Sequence, residues 1–161
     1  MWPEKRSSNH VLVALVIAAL FFGIAFSYAE RQGDEEIYRV KRVIDGDTIE
    51  LANGEKVRLI GVDTPETKHP HKPVEYFGEE ADRFTKKMVE GKKVRLEFDW
   101  QERDRYGRLL AYVYLTDGTF VNAEIIKQGY GHAYTKYPFK YLEEFRQYER
   151  EARENKIGLW K

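Results

Sequence analysis

From residue 37 onward the spacing of apolar positions changes several times, and each change marks an element. Ile37 to Ile44 has the composition and rhythm of a strand, Asp45-Gly46 supplies turn chemistry, and Thr48 to Leu51 resumes a strand. Asn53-Gly54, a strong short hairpin signal, hands over to a third strand through Lys56 to Val62. Residues 74–90 then switch to a helical period, with Phe77, Ala81, Phe84 and Met88 on one stripe and Gly91 as the stop. Val94 to Phe98 alternates as a strand, and Leu109 to Leu115 forms another. Asp117-Gly118 turns the chain into a short helix, about Val121 to Gln128, stopped by Gly129. A last helix, about Tyr141 to Asn155, puts Leu142, Phe145, Tyr148 and Ala152 on one face. Three strands, a helix, two strands and two helices predict an α+β fold. The expected architecture is a small antiparallel barrel of OB type, five-stranded, with three helices packed on it.

The N-terminus has a different pattern. Lys5 and Arg6 precede an apolar run from Val11 to Phe26, and Ser27-Tyr28-Ala29 follows as a small-x-small ending. This is the layout of a secretory signal, with cleavage expected after Ala29; an uncleaved membrane anchor is the alternative. Either reading places the remainder outside the cytoplasm, secreted or anchored by residues 11–26. Residues 30–36 read as a polar linker, and 37–161 as one folded domain.

Composition narrows the chemistry. The 161 residues carry 27 Lys+Arg against 27 Asp+Glu, so any polyanion site must be a local arrangement. With no cysteine there is no disulfide framework, thiol nucleophile or thiolate zinc site. Charged chemistry concentrates in three segments: Ile44 to Thr48, Arg58 to Thr67, and Asp104 to Arg108. Singly, these read as an Asp-Gly turn, a strand exit held extended before Pro65, and a solvated loop. Together they offer more. A two-residue turn at Asn53-Gly54 would pair Ile49 with Arg58, leaving Asp47 and Arg58 as diagonal neighbours on one sheet face. Asp63 joins them only if the ladder breaks, and Gly46 and Gly61 are the natural places. Two carboxylates and a backbone carbonyl suit a hard cation such as calcium or magnesium. Glu66 sits where it can take a proton from water, and Arg58 and Arg108 offer planar forks for phosphate oxygens. Such a set suffices for phosphodiester cleavage.

The runs Asp45-Gly46-Asp47-Thr48, Arg58 through Val62-Asp63-Thr64-Pro65-Glu66-Thr67-Lys68-His69-Pro70, and Tyr106-Gly107-Arg108 with Leu110-Ala111-Tyr112 resemble the thermonuclease (staphylococcal nuclease-like) family. The likeness continues through Phe84 to Val89, Val121-Asn122 and Gln128-Gly129, and spans nearly all of residues 36–161. The resemblance implies an OB-fold nuclease that hydrolyses DNA and RNA with Ca2+, leaves 3′-phosphate ends and acts as a monomer. It implies calcium ligation by the Asp47 and Asp63 carboxylates and the Thr64 carbonyl. It assigns Glu66 as general base or water-orienting group, and Arg58 and Arg108 as stabilisers of the phosphoryl charge. Arg105 and Tyr106 correspond to contacts with a terminal phosphate, and Tyr134 to an aromatic at the base-binding wall. Two departures stand out. The family's pair of tyrosines two residues apart becomes Tyr134-Thr135-Lys136-Tyr137, and Trp100 stands where the family has a polar loop. His69 and His71, on a basic loop, read as solvated or phosphate-near, with no convergent third soft ligand. Two rivals differ in class: a non-catalytic nucleic-acid-binding OB module at the cell surface, and a membrane-tethered interaction domain that has no need of this polar set.

Overall fold

The computed structural model describes residues 36–68 and 73–161. Residues 1–29, read from the sequence as a signal or anchor, residues 30–35 of the expected linker, His69 and His71 lie outside the described residues. Five strands close a barrel: β1 (Ile37–Asp45), β2 (Thr48–Leu51), β3 (Lys56–Leu59), β5 (Lys93–Arg103) and β6 (Leu109–Leu115), in the order β1-β2-β3-β6-β5. β4 (Val62–Asp63) and β7 (His132–Ala133) make a separate two-stranded pair. Among the described residues the helices are α1 (Gly78–Val89), α2 (Val121–Lys127) and α3 (Leu142–Glu154), followed by a 3-10 turn, Gly158–Trp160. This is the expected α+β barrel with three helices.

Its interior follows from the alternation. Val40, Ile49, Leu51, Val57, Leu59, Val94 and Val113 are essentially inaccessible, and Val121, Ile125 and Phe145 of the helices complete the same core. β1 serves two neighbours, β2 and β5, and bends between them through register shifts at Val40/Arg42 and Val43/Asp45.

Four details differ from the sequence expectation. The hairpin after β2 has three loop residues, Ala52, Asn53 and Gly54, because the Leu51 N–H donates to Glu55 O at 2.8 Å and Gly54 takes φ +89°. The register therefore moves by one, and Thr48, not Ile49, lies opposite Arg58. The barrel is not wholly antiparallel, since β3 and β6 run parallel and close it. α1 begins at Gly78, not residue 74, because Phe77 before it adopts a left-handed backbone with φ 68°. β5 runs on through Trp100 to Arg103, so the polar loop expected there is strand.

The break at Gly61 does occur. β3 stops at Leu59, Gly61 takes φ +73°, and the chain restarts as β4. A Cβ on Gly61 would lie 2.7 Å from the Phe139 ring and 2.8 Å from Phe145, so only glycine permits this reversal. Asn122, at the start of α2 and fully buried, ties the turn to the barrel. Its Nδ2 donates to Ile60 O at 2.9 Å and to Ala111 O at 3.2 Å, and its Oδ1 accepts the Val113 N–H at 2.9 Å.

Candidate active site

Reversal at Gly61 returns Asp63 to the side chain of Arg58, four residues back along the turn from Val62. Arg58 Nη1 donates to Leu59 O at 3.1 Å and Val62 O at 2.5 Å, clamping the turn. Its Nη2 lies 3.1 Å from Asp47 Oδ2 and 3.3 Å from Asp63 Oδ1. One guanidinium nitrogen thus joins the two carboxylates that the pleat arithmetic had set on opposite faces. Asp47 is buried and further held by the Thr48 hydroxyl at 2.9 Å and the Thr64 N–H at 3.2 Å.

Arg108 enters from the β5–β6 loop. Asp104 holds it through Nε and Nη2, both 2.7 Å from Oδ2, and Arg108 Nη1 reaches the Thr48 hydroxyl at 3.5 Å. Thr48 is therefore the link that places both arginines in one connected network. Burial opposes ionisation of Asp104, but hydrogen bonds from Arg108 and from backbone N–H groups outweigh it, and its carboxyl sits below the ordinary range.

Glu66 lies one turn of loop beyond Thr64. Its Oε1 accepts the Lys68 N–H at 2.7 Å, and its backbone exchanges bonds with Glu75 at 2.9 and 3.1 Å. Its charge is felt at Asp45, whose carboxyl rises to about 7 through burial first, then Asp47, Glu66 and Asp82. Asp45 Oδ1 accepts the Thr67 hydroxyl at 3.1 Å, and that hydroxyl also lies 3.4 Å from Asp82 Oδ2. Burial raises Asp63 as well, with Arg58 pulling it down.

Among the described residues no three acidic or histidine side chains converge as a ready ligand set. The donor chemistry nevertheless fits a hard cation held by few protein ligands. The candidate ligand atoms of Asp47, Asp63 and Thr64 are all oxygen, burial and the neighbouring carboxylates push Asp45 up to about 7, and the buried Thr64 hydroxyl has no hydrogen-bond partner.

The side chains of Arg105 and Tyr106 stand apart from this network, although the Tyr106 N–H donates to Asp104 Oδ1 at 2.9 Å. They bind one another, Nη2 to the phenol oxygen at 2.6 Å, on the exposed loop before Arg108. The Tyr106 ring centroid is 5.6 Å from the Arg108 guanidinium carbon, which leaves the pair at the margin of the site. Tyr134 lies inside it: its N–H donates to Gly61 O at 2.9 Å, and its ring lines a cavity of about 280 Å³ that also touches Arg58, Asp63 and Arg108. Thr48, Asp45, Asp82 and Asn122 were not singled out as site residues in the sequence. Thr48 and Asp45 sit inside a motif that was, and Asn122 sits in the Val121-Asn122 pair that carries the family likeness, whereas nothing local distinguishes Asp82.

A closed five-stranded barrel carrying two guanidiniums and oxygen donors in one connected network is suited to acting on phosphodiesters. The profile of the family described as "Staphylococcal nuclease homologue" matches residues 56–161. A thermonuclease of Staphylococcus hyicus is 42% identical over 158 residues, covering 93% of each chain. A thermonuclease of Staphylococcus intermedius is 40% identical over 166 residues, 98% of each. Endonuclease YncB of Bacillus subtilis (strain 168) is 47% identical over 125 residues, 74% of this chain and 59% of its own. The chain belongs to the staphylococcal nuclease homologue family. It is a hydrolase of the nuclease type.

Proposed function

We propose that the protein is a calcium-dependent phosphodiesterase that cuts DNA and RNA with low sequence specificity and leaves 3′-phosphate ends. One observation carries the reading: the Arg58 guanidinium is shared by Asp47 and Asp63 and joined through Asp47 and Thr48 to Arg108. Two planar cations held in one hydrogen-bonded network match the charge that builds on phosphoryl oxygens in the transition state. Glu66 takes the proton of the attacking water, or orients that water, as the new oxygen–phosphorus bond forms. The bond to the 5′-oxygen breaks, and Arg108 offsets the charge on the departing oxygen. Asp47, Asp63 and the Thr64 carbonyl are the groups that would hold calcium. Calcium, when bound, adds Lewis-acid stabilisation of the phosphoryl oxygens. Arg105 and Tyr106 contact a terminal phosphate, and Tyr134 stacks on a base.

Plasmid nicking by the full chain in calcium, in magnesium and in chelator tests this. Cleavage in calcium that chelator abolishes is expected, with magnesium a poor substitute because it prefers tight octahedral shells and keeps its waters. A chelator-insensitive gel shift without cleavage would point instead to a nucleic-acid-binding module. We also place the catalytic unit outside the cytoplasm, as a monomer, either secreted or anchored by residues 11–26. A site with two protein carboxylates should bind calcium in the range of ~10⁻⁴–10⁻³ M, suited to extracellular concentrations. Sub-micromolar calcium affinity of the free protein would remove that link, and cell fractionation separates anchor from secretion.

A further inference from the structure

Glu66 is held mostly by its own loop. Its N–H donates to Glu75 Oε2 at 3.1 Å, its carbonyl accepts the Glu75 N–H at 2.9 Å, and its Oε1 accepts the Lys68 N–H at 2.7 Å. These bonds all close within the segment between β4 and α1. They shape that segment without fixing it against the barrel. Fixing it takes contacts on both sides of Glu66. On one side the Thr64 N–H donates to the buried Asp47 at 3.2 Å. On the other side the contacts come from α1.

Thr85 seats this helix on the barrel, its fully buried hydroxyl donating to Gly46 O at 2.7 Å. Asp82 stands three residues earlier on the same helix face, and it is only 8% exposed, an unusual depth for a carboxylate. Its Oδ2 lies 3.4 Å from the Thr67 hydroxyl and 3.5 Å from Lys68 Nζ. The same hydroxyl donates to Asp45 Oδ1 at 3.1 Å, so Thr67 is caught between a barrel carboxylate and a helix carboxylate. The other oxygen, Asp82 Oδ1, is buried with no hydrogen-bond partner among the described residues. An orphaned carboxylate oxygen costs stability, and a small apolar side chain would serve the packing better. What the acid gains is a hold on the two residues that follow Glu66. The helix is also pressed against them: a Cβ on Gly78, at the start of α1, would lie 2.7 Å from Thr67 Cγ2 and 3.1 Å from Pro65 O.

We propose that Asp82 is a positioning residue for Glu66, holding Thr67 by its hydroxyl and Lys68 by its ammonium so that the Glu66 carboxylate stands at a fixed place beside Asp47. This role rests on the phosphodiesterase reading and adds to it a group that touches neither substrate nor metal. Asp82 acts through Glu66 alone, and the stability given up at its unpaired oxygen is exchanged for a fixed base.

On one oligodeoxynucleotide, kcat and KM are compared for full-chain wild type, Asp82→Ala, Asp82→Asn, Glu66→Gln and the Asp82→Ala/Glu66→Gln double variant, beside their urea midpoints. A reacting group misplaced by about 1 Å costs up to ~100-fold, so Asp82→Ala should lower kcat roughly 10–100-fold. KM should change little, because Arg58 and Arg108 hold the phosphate. The midpoint should hold or rise, since the orphaned oxygen is gone. Asp82→Asn keeps the shape and weakens the hold on Lys68, so its kcat should fall in the same direction by a smaller factor. In the Glu66→Gln background Asp82→Ala should cost nothing more. An unchanged kcat, a midpoint that falls in both Asp82 variants, or an equal loss in the Glu66→Gln background overturns the role. Amide hydrogen exchange reads the same contact without cleavage. The Lys68 N–H, bonded to Glu66, should exchange faster in Asp82→Ala while the Val113 N–H in the core keeps its rate. That result upholds the positioning even if wild type cuts nothing, in which case the phosphodiesterase reading fails alone. Unchanged Lys68 exchange beside intact cleavage leaves the enzyme standing and removes the role of Asp82.

Discussion

Replacing Asn122 by alanine should unfold the protein more easily than any surface change and should lower activity in step. The side chain is fully buried, and its amide makes bonds to three backbone groups: Val113 N–H, Ile60 O and Ala111 O. Ala111 O keeps a second donor, the Ile60 N–H at 3.0 Å, so truncation removes the Asn122 partner chiefly from Val113 N–H and Ile60 O. A buried backbone group left unpaired costs about 1–3 kcal/mol, and a small void adds to it, giving a loss of about 3–5 kcal/mol. Urea unfolding of the full chain measures this as a shift in midpoint at constant slope. Asn122→Asp sharpens the reasoning. Its carboxyl can still accept from Val113 but faces two carbonyls, so it must stay protonated to donate, and its folded pKa rises above the unfolded ~3.9. The folded state then holds a proton that the unfolded state has released. Stability is therefore retained below about pH 4 and lost as pH rises through the folded pKa, a slope specific to this variant. A loss under about 1 kcal/mol for Asn122→Ala, or a pH profile for Asn122→Asp parallel to wild type, would refute the account.

Three further outcomes are expected. Glu66→Gln should keep the unfolding midpoint and lose ~10²–10⁴-fold in turnover, and wild-type cleavage would exclude it as the proton acceptor. Arg58→Lys should lose ~10²–10³-fold in kcat as well as stability, because one ammonium cannot hold Val62 O, Asp47 and Asp63 together; retained cleavage would show the planar fork is dispensable. In chelator, stability should fall as pH rises from about 4 through 7, because Asp45 titrates near 7 when folded and near ~3.9 when unfolded. Calcium or Asp45→Asn should flatten that slope, and a flat wild-type profile in chelator would contradict the carboxylate crowding.

How much of this could be read from the chain depends on the range of the forces involved. The helical stripes of α1 and α3 and the alternation of the strands are local, and those elements formed nearly where the pattern put them. Asn53-Gly54 marked the hairpin correctly but not its length, since the same dipeptide serves a two-residue turn or the end of a three-residue loop with Gly54 left-handed. That single residue shifted the pairing of β2 with β3 and put Thr48, not Ile49, opposite Arg58. The reversal at Gly61 was visible only as a condition, because what enforces it is the rings of Phe139 and Phe145 from the far end of the chain. The parallel closure of β3 on β6 has no local signature at all. Trp100 did have one: Leu96, Phe98 and Trp100 continue a period of two, the rhythm of the strand that carries them.

The charge balance of the site bears on why a cation should be needed. Asp104 already engages Arg108, and Asp47 and Asp63 share Arg58. A phosphodiester entering here meets guanidiniums whose charge is largely offset by these carboxylates. The arginines fix geometry, but they cannot by themselves make the site attractive to a polyanion. A hard cation beside Asp47 and Asp63 would reverse the local sign and would leave Arg58 free to turn some of its donors from carboxylate to phosphate. Because Arg58, Asp47, Thr48 and Arg108 share bonds in one chain, substitutions among them should be non-additive, each removing part of the same support.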